Sequence, residues 1–122
     1  MVMEGMEIVL IEDDEDAAVP MLKFLRANFV NPIRYIQDGG RAAEFLLLEC
    51  DKGPKLILLD TVLPHIDGVE LFRMIRLEPA CRNLSVLFLV NDESAKQYLE
   101  GLGLRPDGYL KKPTGSTLPV YI

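Results

Sequence analysis

Leu56-Ile57-Leu58-Leu59-Asp60, followed by Thr61-Val62-Leu63-Pro64 and Asp67-Gly68, is the stretch that decides the fold of this 122-residue chain. Four consecutive aliphatic residues without alternation read as a strand covered on both faces, the pattern of a parallel sheet. Asp60 then stands at the carboxyl end of that strand, where open α/β sheets place their ligands.

Strand-like and helix-like segments alternate on either side of it. Glu7-Ile8-Val9-Leu10-Ile11 reads as a first strand, and Glu12-Asp13-Asp14-Glu15-Asp16 as an acidic turn suited to a helix N-terminus. Ala18, Met21, Leu22, Leu25 and Phe29 follow at three-and-four spacing, one helical stripe. Pro20 fits only a first turn, so that helix either starts late, near Val19, or kinks. Ile33 to Gln37 makes a second strand closed by Asp38-Gly39-Gly40, and Arg41 to Glu49 a second helix. Val69 to Glu78 forms a third helix stopped by Pro79, and Val86 to Val90 a fourth strand. A fourth helix spans Ser94 to Glu100, with Ser94 and Gln97 at capping-box spacing and Gly101 and Gly103 at its end. Gly108 to Lys111 is a short fifth strand before Lys112-Pro113. Five strands separated by helices imply right-handed crossovers and a three-layer α/β sandwich. No internal repeat or linker interrupts it, so residues 1–122 read as one domain.

Composition narrows the function. With 49% hydrophobic and 26% charged residues the chain is ordinary globular material, and a net charge of −6 argues against direct nucleic-acid binding. No apolar run approaches the roughly 20 residues of a membrane span, and no leader pattern is visible, so the expected location is the cytoplasm. Cys50 and Cys81 lack metal-ligand or CxxC spacing and are expected to be reduced. His65 is expected to face solvent, and the methionines to fill the core.

The chemistry gathers at strand ends. In such a sheet the first and third strands end side by side, which brings Glu12 and Asp13 beside Asp60. Three carboxylates repel one another and call for a cation, and an oxygen-only set suits Mg²⁺ or Mn²⁺. Lys112, at the end of the fifth strand, adds a positive charge to the same edge. An ion and an ammonium beside a carboxylate can stabilise a phosphoryl group in transfer, with Asp60 as the nucleophile. Taken singly, the acids could merely cap a helix and Lys112 could merely be solvated. Their joint placement at three strand ends in the right order carries the inference.

Ile8-Val9-Leu10-Ile11-Glu12-Asp13-Asp14, Leu58-Leu59-Asp60 with Pro64 and Asp67-Gly68, and Tyr109-Leu110-Lys111-Lys112-Pro113 together resemble the receiver domain of two-component response regulators. Within that family the Ile57 to Arg76 stretch and Glu78-Pro79 through Ser85 look most like the small single-domain regulators that partner phytochrome-type histidine kinases. The resemblance implies a flavodoxin-like fold of strand order 2-1-3-4-5. It implies that Asp60 takes phosphate from a sensor histidine kinase, that Glu12, Asp13 and the Val62 carbonyl hold Mg²⁺, and that Lys112 contacts the phosphoryl group. Tyr109 would be the aromatic whose rotation reports phosphorylation, to an unknown downstream protein.

Two departures stand out. The fourth strand of receivers normally ends in Thr or Ser; here the position is Val90, which cannot donate to a phosphoryl oxygen, and Asn91 follows. After Pro113, Thr114 to Ile122 contains Gly and Pro and lacks helical periodicity, so the last helix is expected to be absent or replaced by an irregular tail. Its absence predicts an apolar patch closed by the tail, by a second subunit in a homodimer, or by a partner. The leading expectation is therefore a stand-alone phosphoacceptor receiver that is not an enzyme in the ordinary sense. The alternative is a degenerate receiver acting as a phosphorylation-independent binding or dimerisation module. A dehalogenase-like phosphatase would want a second Asp where Val62 stands, and a flavodoxin a hydroxyl- and Gly-rich loop where Glu12 to Asp16 lie.

Overall fold

The structure, a computed structural model, describes residues 5–63, 66–113 and 118–122. The expectations for Pro64, His65 and Thr114 to Thr117 lie outside those residues. Parallel strands β1 (Glu7–Ile11), β2 (Ile33–Ile36), β3 (Lys55–Asp60), β4 (Leu84–Val90) and β5 (Gly108–Lys111) stand in the order β2-β1-β3-β4-β5, and a short β6 (Val120–Tyr121) pairs antiparallel with β5. Helices α1 (Glu15–Asn28), α2 (Gly39–Glu49), α3 (Gly68–Leu77) and α4 (Glu93–Gly101) fill the crossovers.

The unbroken apolar strands are explained by cover on both sides. Val9, Ile11, Ile57, Leu59, Val86, Phe88 and Val90 pack with α2, α3 and α4, while Ile8, Leu10, Leu58, Leu87 and Leu89 pack with α1. Alternate residues of one strand thus enter two separate cores. Register follows: β1 and β3 pair with Ile11 opposite Leu59, so both strands end at one level and the chain beyond each emerges on one edge.

Local chemistry sets the helix starts, in places earlier than the apolar periodicity suggests. Asp14 caps α1 by accepting from the Asp16 N–H at 2.9 Å. The helix therefore begins at Glu15, not near Val19, and runs through Pro20. Pro20 forfeits one backbone bond at a cost of about 3 kcal/mol. Burial of Met21 and Leu25 at about 1.5–3 kcal/mol each offsets it. Asp38, read above as part of a turn, caps α2, and Asp67 caps α3. For α4 the cap is Asp92, which accepts from Ala95 N–H at 2.9 Å, rather than Ser94. Asp92 precedes the helix with the extended backbone a cap needs, whereas Ser94 is already inside it. Gly103, at φ +77°, takes the left-handed turn that ends α4.

One expectation is overturned and another, the last helix replaced by a tail, is refined. Cys50 and Cys81 are joined in a disulfide, not reduced, with Cα atoms 5.0 Å apart. The 31-residue separation hides this proximity. Helices run antiparallel to the strands, so the end of α2 and the 3-10 turn Pro79–Cys81 after α3 meet at the amino end of the sheet. The tail is not irregular throughout: β6 continues the sheet, with Lys111 opposite Val120 and Leu110 opposite Tyr121. Pro119 and Tyr121 lie over Leu87 and Leu110 on the α1 side, leaving a groove of about 180 Å³ bordered by Phe24 and Phe29. The tail thus closes part of the expected apolar patch.

Candidate functional site

Asp60 is the last residue of β3 and Glu12 the first after β1, and the level ends of the two strands set them side by side. Glu12, Asp13 and Asp60 can each present an oxygen within 4.8 Å of the others. Glu12 is 1% and Asp60 6% exposed, whereas Asp13 faces solvent. Lys112, just beyond β5, reaches across: its Nζ donates to Glu12 Oε1 at 2.8 Å and to Asp60 Oδ1 at 3.2 Å. Four of the residues singled out in the sequence therefore meet at one corner.

The electrostatics of that corner are unbalanced. Burial, then the hydrogen bond with Asp60, pushes the Glu12 carboxyl up to about 8, against the pull of Lys112. Burial works against the Lys112 ammonium, but its bond to Glu12 and the charge of Asp60 hold it above the usual lysine value. Glu12 Oε2 is buried with no hydrogen-bond partner among the described residues. A buried carboxylate oxygen without a partner is costly, and a divalent cation beside it satisfies the oxygen and neutralises the charge. The donor set, all oxygen with one side open to solvent through Asp13, fits Mg²⁺ or Mn²⁺.

The described residues on either side of the turn after Asp60 are hydrogen-bonded to one another. The Val62 N–H donates to Asp60 Oδ1 at 3.4 Å, Gly68 N–H to the Thr61 carbonyl at 3.2 Å, and Val69 N–H to Asp67 Oδ1 at 2.7 Å. A Cβ at Gly68 would collide with the Asp60 carbonyl and the Thr61 backbone, so only glycine lets α3 start against the end of β3. The sequence shows Asp67-Gly68 only as a motif; the close backbone approach behind it belongs to the folded chain.

Val90 and Tyr109 stand on β4 and β5, the strands next to the acid corner. Val90 ends β4, 2% exposed, and its carbonyl accepts from Lys112 N–H at 2.8 Å. Tyr109 is 8% exposed, its ring edge-on to Phe88 at 5.8 Å, with Lys96 Nζ 5.7 Å from the ring centroid. Lys96 was not singled out in the sequence; only its spacing from the strand ends, which no local pattern marks, relates it to Tyr109.

Residues 8–118 match the family model described as response regulator receiver domain. The chain is 30% identical over 110 residues to the probable methanogenesis regulatory protein FilR2 of Methanothrix harundinacea, covering 87% of this chain and 71% of that protein. It is also 30% identical to the transcriptional regulatory protein GltR of Pseudomonas aeruginosa, covering 89% of this chain but 43% of GltR, so it spans less than half of that relative. Among solved structures, the bacteriophytochrome response regulator AtBRR superposes with a TM-score of 0.81 at 23% identity over 92% of this chain and 85% of that one. The Mn²⁺-bound form of response regulator Rcp1 gives 0.73 at 26%, over 90% and 83%. Strand order 2-1-3-4-5, acids at the first and third strand ends, a lysine after the fifth and a family match over nearly the whole length agree: the chain belongs to the response regulator receiver domain family.

Proposed function

We propose that the chain is a phosphoacceptor receiver in which Asp60 takes a phosphoryl group from a phosphohistidine of a sensor histidine kinase. The observation that carries this is the meeting of Lys112 with Glu12 and Asp60 at 2.8 and 3.2 Å beside an unpartnered carboxylate oxygen. Asp60 attacks phosphorus as the P–N bond breaks; the imidazole leaves, gaining a proton from solvent, and Asp60 becomes an acyl phosphate. Glu12, Asp13, Asp60 and the Val62 carbonyl hold a divalent ion, which supplies charge neutralisation at the phosphoryl oxygens. Lys112 shifts from the carboxylates to the incoming group, as a point charge on a long stem can.

The domain acts as a signalling element in the cytoplasm rather than as a turnover enzyme, and its output is a change in protein contacts. Residues 1–122 serve as one receiver working through its own surface. Tyr109 is the reporter of the acceptor's state, weakly coupled because Val90 offers no hydroxyl. That valine favours one second reading, a receiver whose binding role does not depend on phosphate.

Incubation with Mg²⁺ and acetyl phosphate or beryllofluoride, followed by intact mass and spectra, tests the first reading. An adduct is expected that disappears in Asp60→Asn and without Mg²⁺. An unchanged mass and spectrum in the unaltered protein would leave the binding-module reading standing.

A further inference from the structure

The sheet has a second chemically distinctive region at its β2 edge, remote from β5. Ile8 N–H donates to the Pro32 carbonyl at 2.9 Å and Glu12 N–H to the Ile36 carbonyl at 3.1 Å. Pro32, Arg34 and Ile36 therefore turn their backbone groups toward β1, and strand alternation turns the N–H and C=O of Ile33, Tyr35 and Gln37 outward. No described residue pairs with that edge. A row of free donors and acceptors is a template for another strand.

The recess beside this edge is lined by two arginines, Arg34 and Arg41, and by no carboxylate among the described residues. Glu7 is shared by two cations, Lys55 at 3.0 Å and Arg34 at 3.4 Å. The Arg34 guanidinium also lies 4.3 Å from the Phe45 ring centroid, which fixes its plane. Arg41, in the first turn of α2, is exposed and makes no ion pair with a described residue. Arg34, Tyr35, Ile36, Gln37, Arg41 and Phe45 line a recess of about 300 Å³, room for a side chain of an incoming strand.

We propose that the β2 edge docks an extended, acidic segment of a partner protein, added to the sheet as a further strand with carboxylates against Arg34 and Arg41. Main-chain bonds to Ile33, Tyr35 and Gln37 supply affinity, and the two guanidiniums select the partner. A second copy of this chain is the poorer occupant, because pairing two β2 edges sets Arg34 near its own copy, and like charges across strands repel.

The test titrates isotopically labelled protein with a capped peptide of alternating glutamate and valine, monitored by amide resonances. Shifts and slowed exchange are expected at Ile33, Tyr35 and Gln37. About tenfold weaker binding is expected for Arg41→Gln, with a further loss when Arg34→Gln is added. Methylating alternate peptide nitrogens, or replacing its glutamates by lysines, should abolish binding to the unaltered protein. Three results overturn the proposal: no shift at those residues, equal binding of the methylated peptide, or equal binding by folded Arg41→Gln. Dilution-dependent shifts at β2 without peptide would replace the partner with a second copy.

Discussion

The two ends of the parallel sheet solve opposite problems. At the amino end several charges pair with one another: Lys55 and Arg34 share Glu7, and Arg76 donates to Asp107 at 3.0 Å and to the Leu84 carbonyl at 3.1 Å. Asp107 accepts in turn from Val86 N–H at 2.7 Å, and the Cys50–Cys81 disulfide lies at the same end. At the carboxyl end two buried carboxylates share one lysine, and an oxygen of Glu12 has no described partner. One end spends its polar groups on holding the chain together, whereas the other leaves them unsatisfied and so ready for a cation and an anion.

The sharpest way to separate the ends is to cut the disulfide. Closing a loop over 31 residues is worth about 2–4 kcal/mol, so reduction should lower the unfolding free energy in denaturant titrations by that amount. Beryllofluoride adduct formation, measured by mass in the folded reduced protein, should be unchanged. Loss of the adduct would break the division of labour.

At the other end, Lys112→Met removes two charge-assisted bonds, each of the kind worth about 1.5–3 kcal/mol. Thermal melts without divalent ions should show a loss in that range, reduced because Glu12 can take up a proton. Mg²⁺ should recover more stability in the variant than in the parent, since it then meets carboxylates with no competing ammonium. Equal Mg²⁺ effects would mean that lysine and ion do not share the site.

Titration gives a further contrast. The folded Glu12 carboxyl holds its proton to about 8, well above the ordinary carboxylate range, so between those limits the native state binds more protons than the unfolded chain. Stability contributed by this group is therefore present at low pH and falls as pH rises through about 8. Lys112, also raised, contributes stability below its unfolded value that is lost only at more alkaline pH. Melts between pH 5 and 9 in chelator should decline, and Mg²⁺ should flatten the decline because it binds the ionised form. Each pH unit over which the folded carboxyl keeps a proton that the unfolded one has lost is worth about 1.4 kcal/mol at most.

The smallest effect is expected from Val90→Thr. A buried hydroxyl costs about 1–3 kcal/mol when unpaired, so the resting protein should lose a little stability. In the beryllofluoride-bound state the hydroxyl gains an acceptor, and the Tyr109 ring resonances should respond more strongly than in the parent. An identical response would place the reporter's control elsewhere than at the end of β4.

Legibility in the sequence followed the range of the interactions. Strands covered on both faces announce themselves as apolar runs, and acids at their ends are read by position, which is why Glu12, Asp13, Asp60 and Lys112 could be named before the fold was seen. Asp14, Asp38, Asp67 and Asp92 sit before their helices, yet Ser94 competes with Asp92 for the same role, and backbone conformation decides between them. The Cys50–Cys81 bond depends on where two distant helix ends meet, which no spacing encodes. In the tail, Val120-Tyr121 is too short to show alternation and becomes a strand only because β5 offers an edge.

Phe72, Phe88 and Tyr109 form a column of rings, with centroids 4.9 and 5.8 Å apart and edge-on contacts. Each such pair is worth about 0.5–1.5 kcal/mol beyond its burial, so the Phe88–Tyr109 contact alone favours the inward ring by roughly fivefold at about 1 kcal/mol. Any signal that turns Tyr109 outward must overcome this bias, and a signal without a differential hold on the two positions leaves their ratio unchanged. The column therefore sets a floor on how strongly the acceptor must pull before the surface of the protein changes.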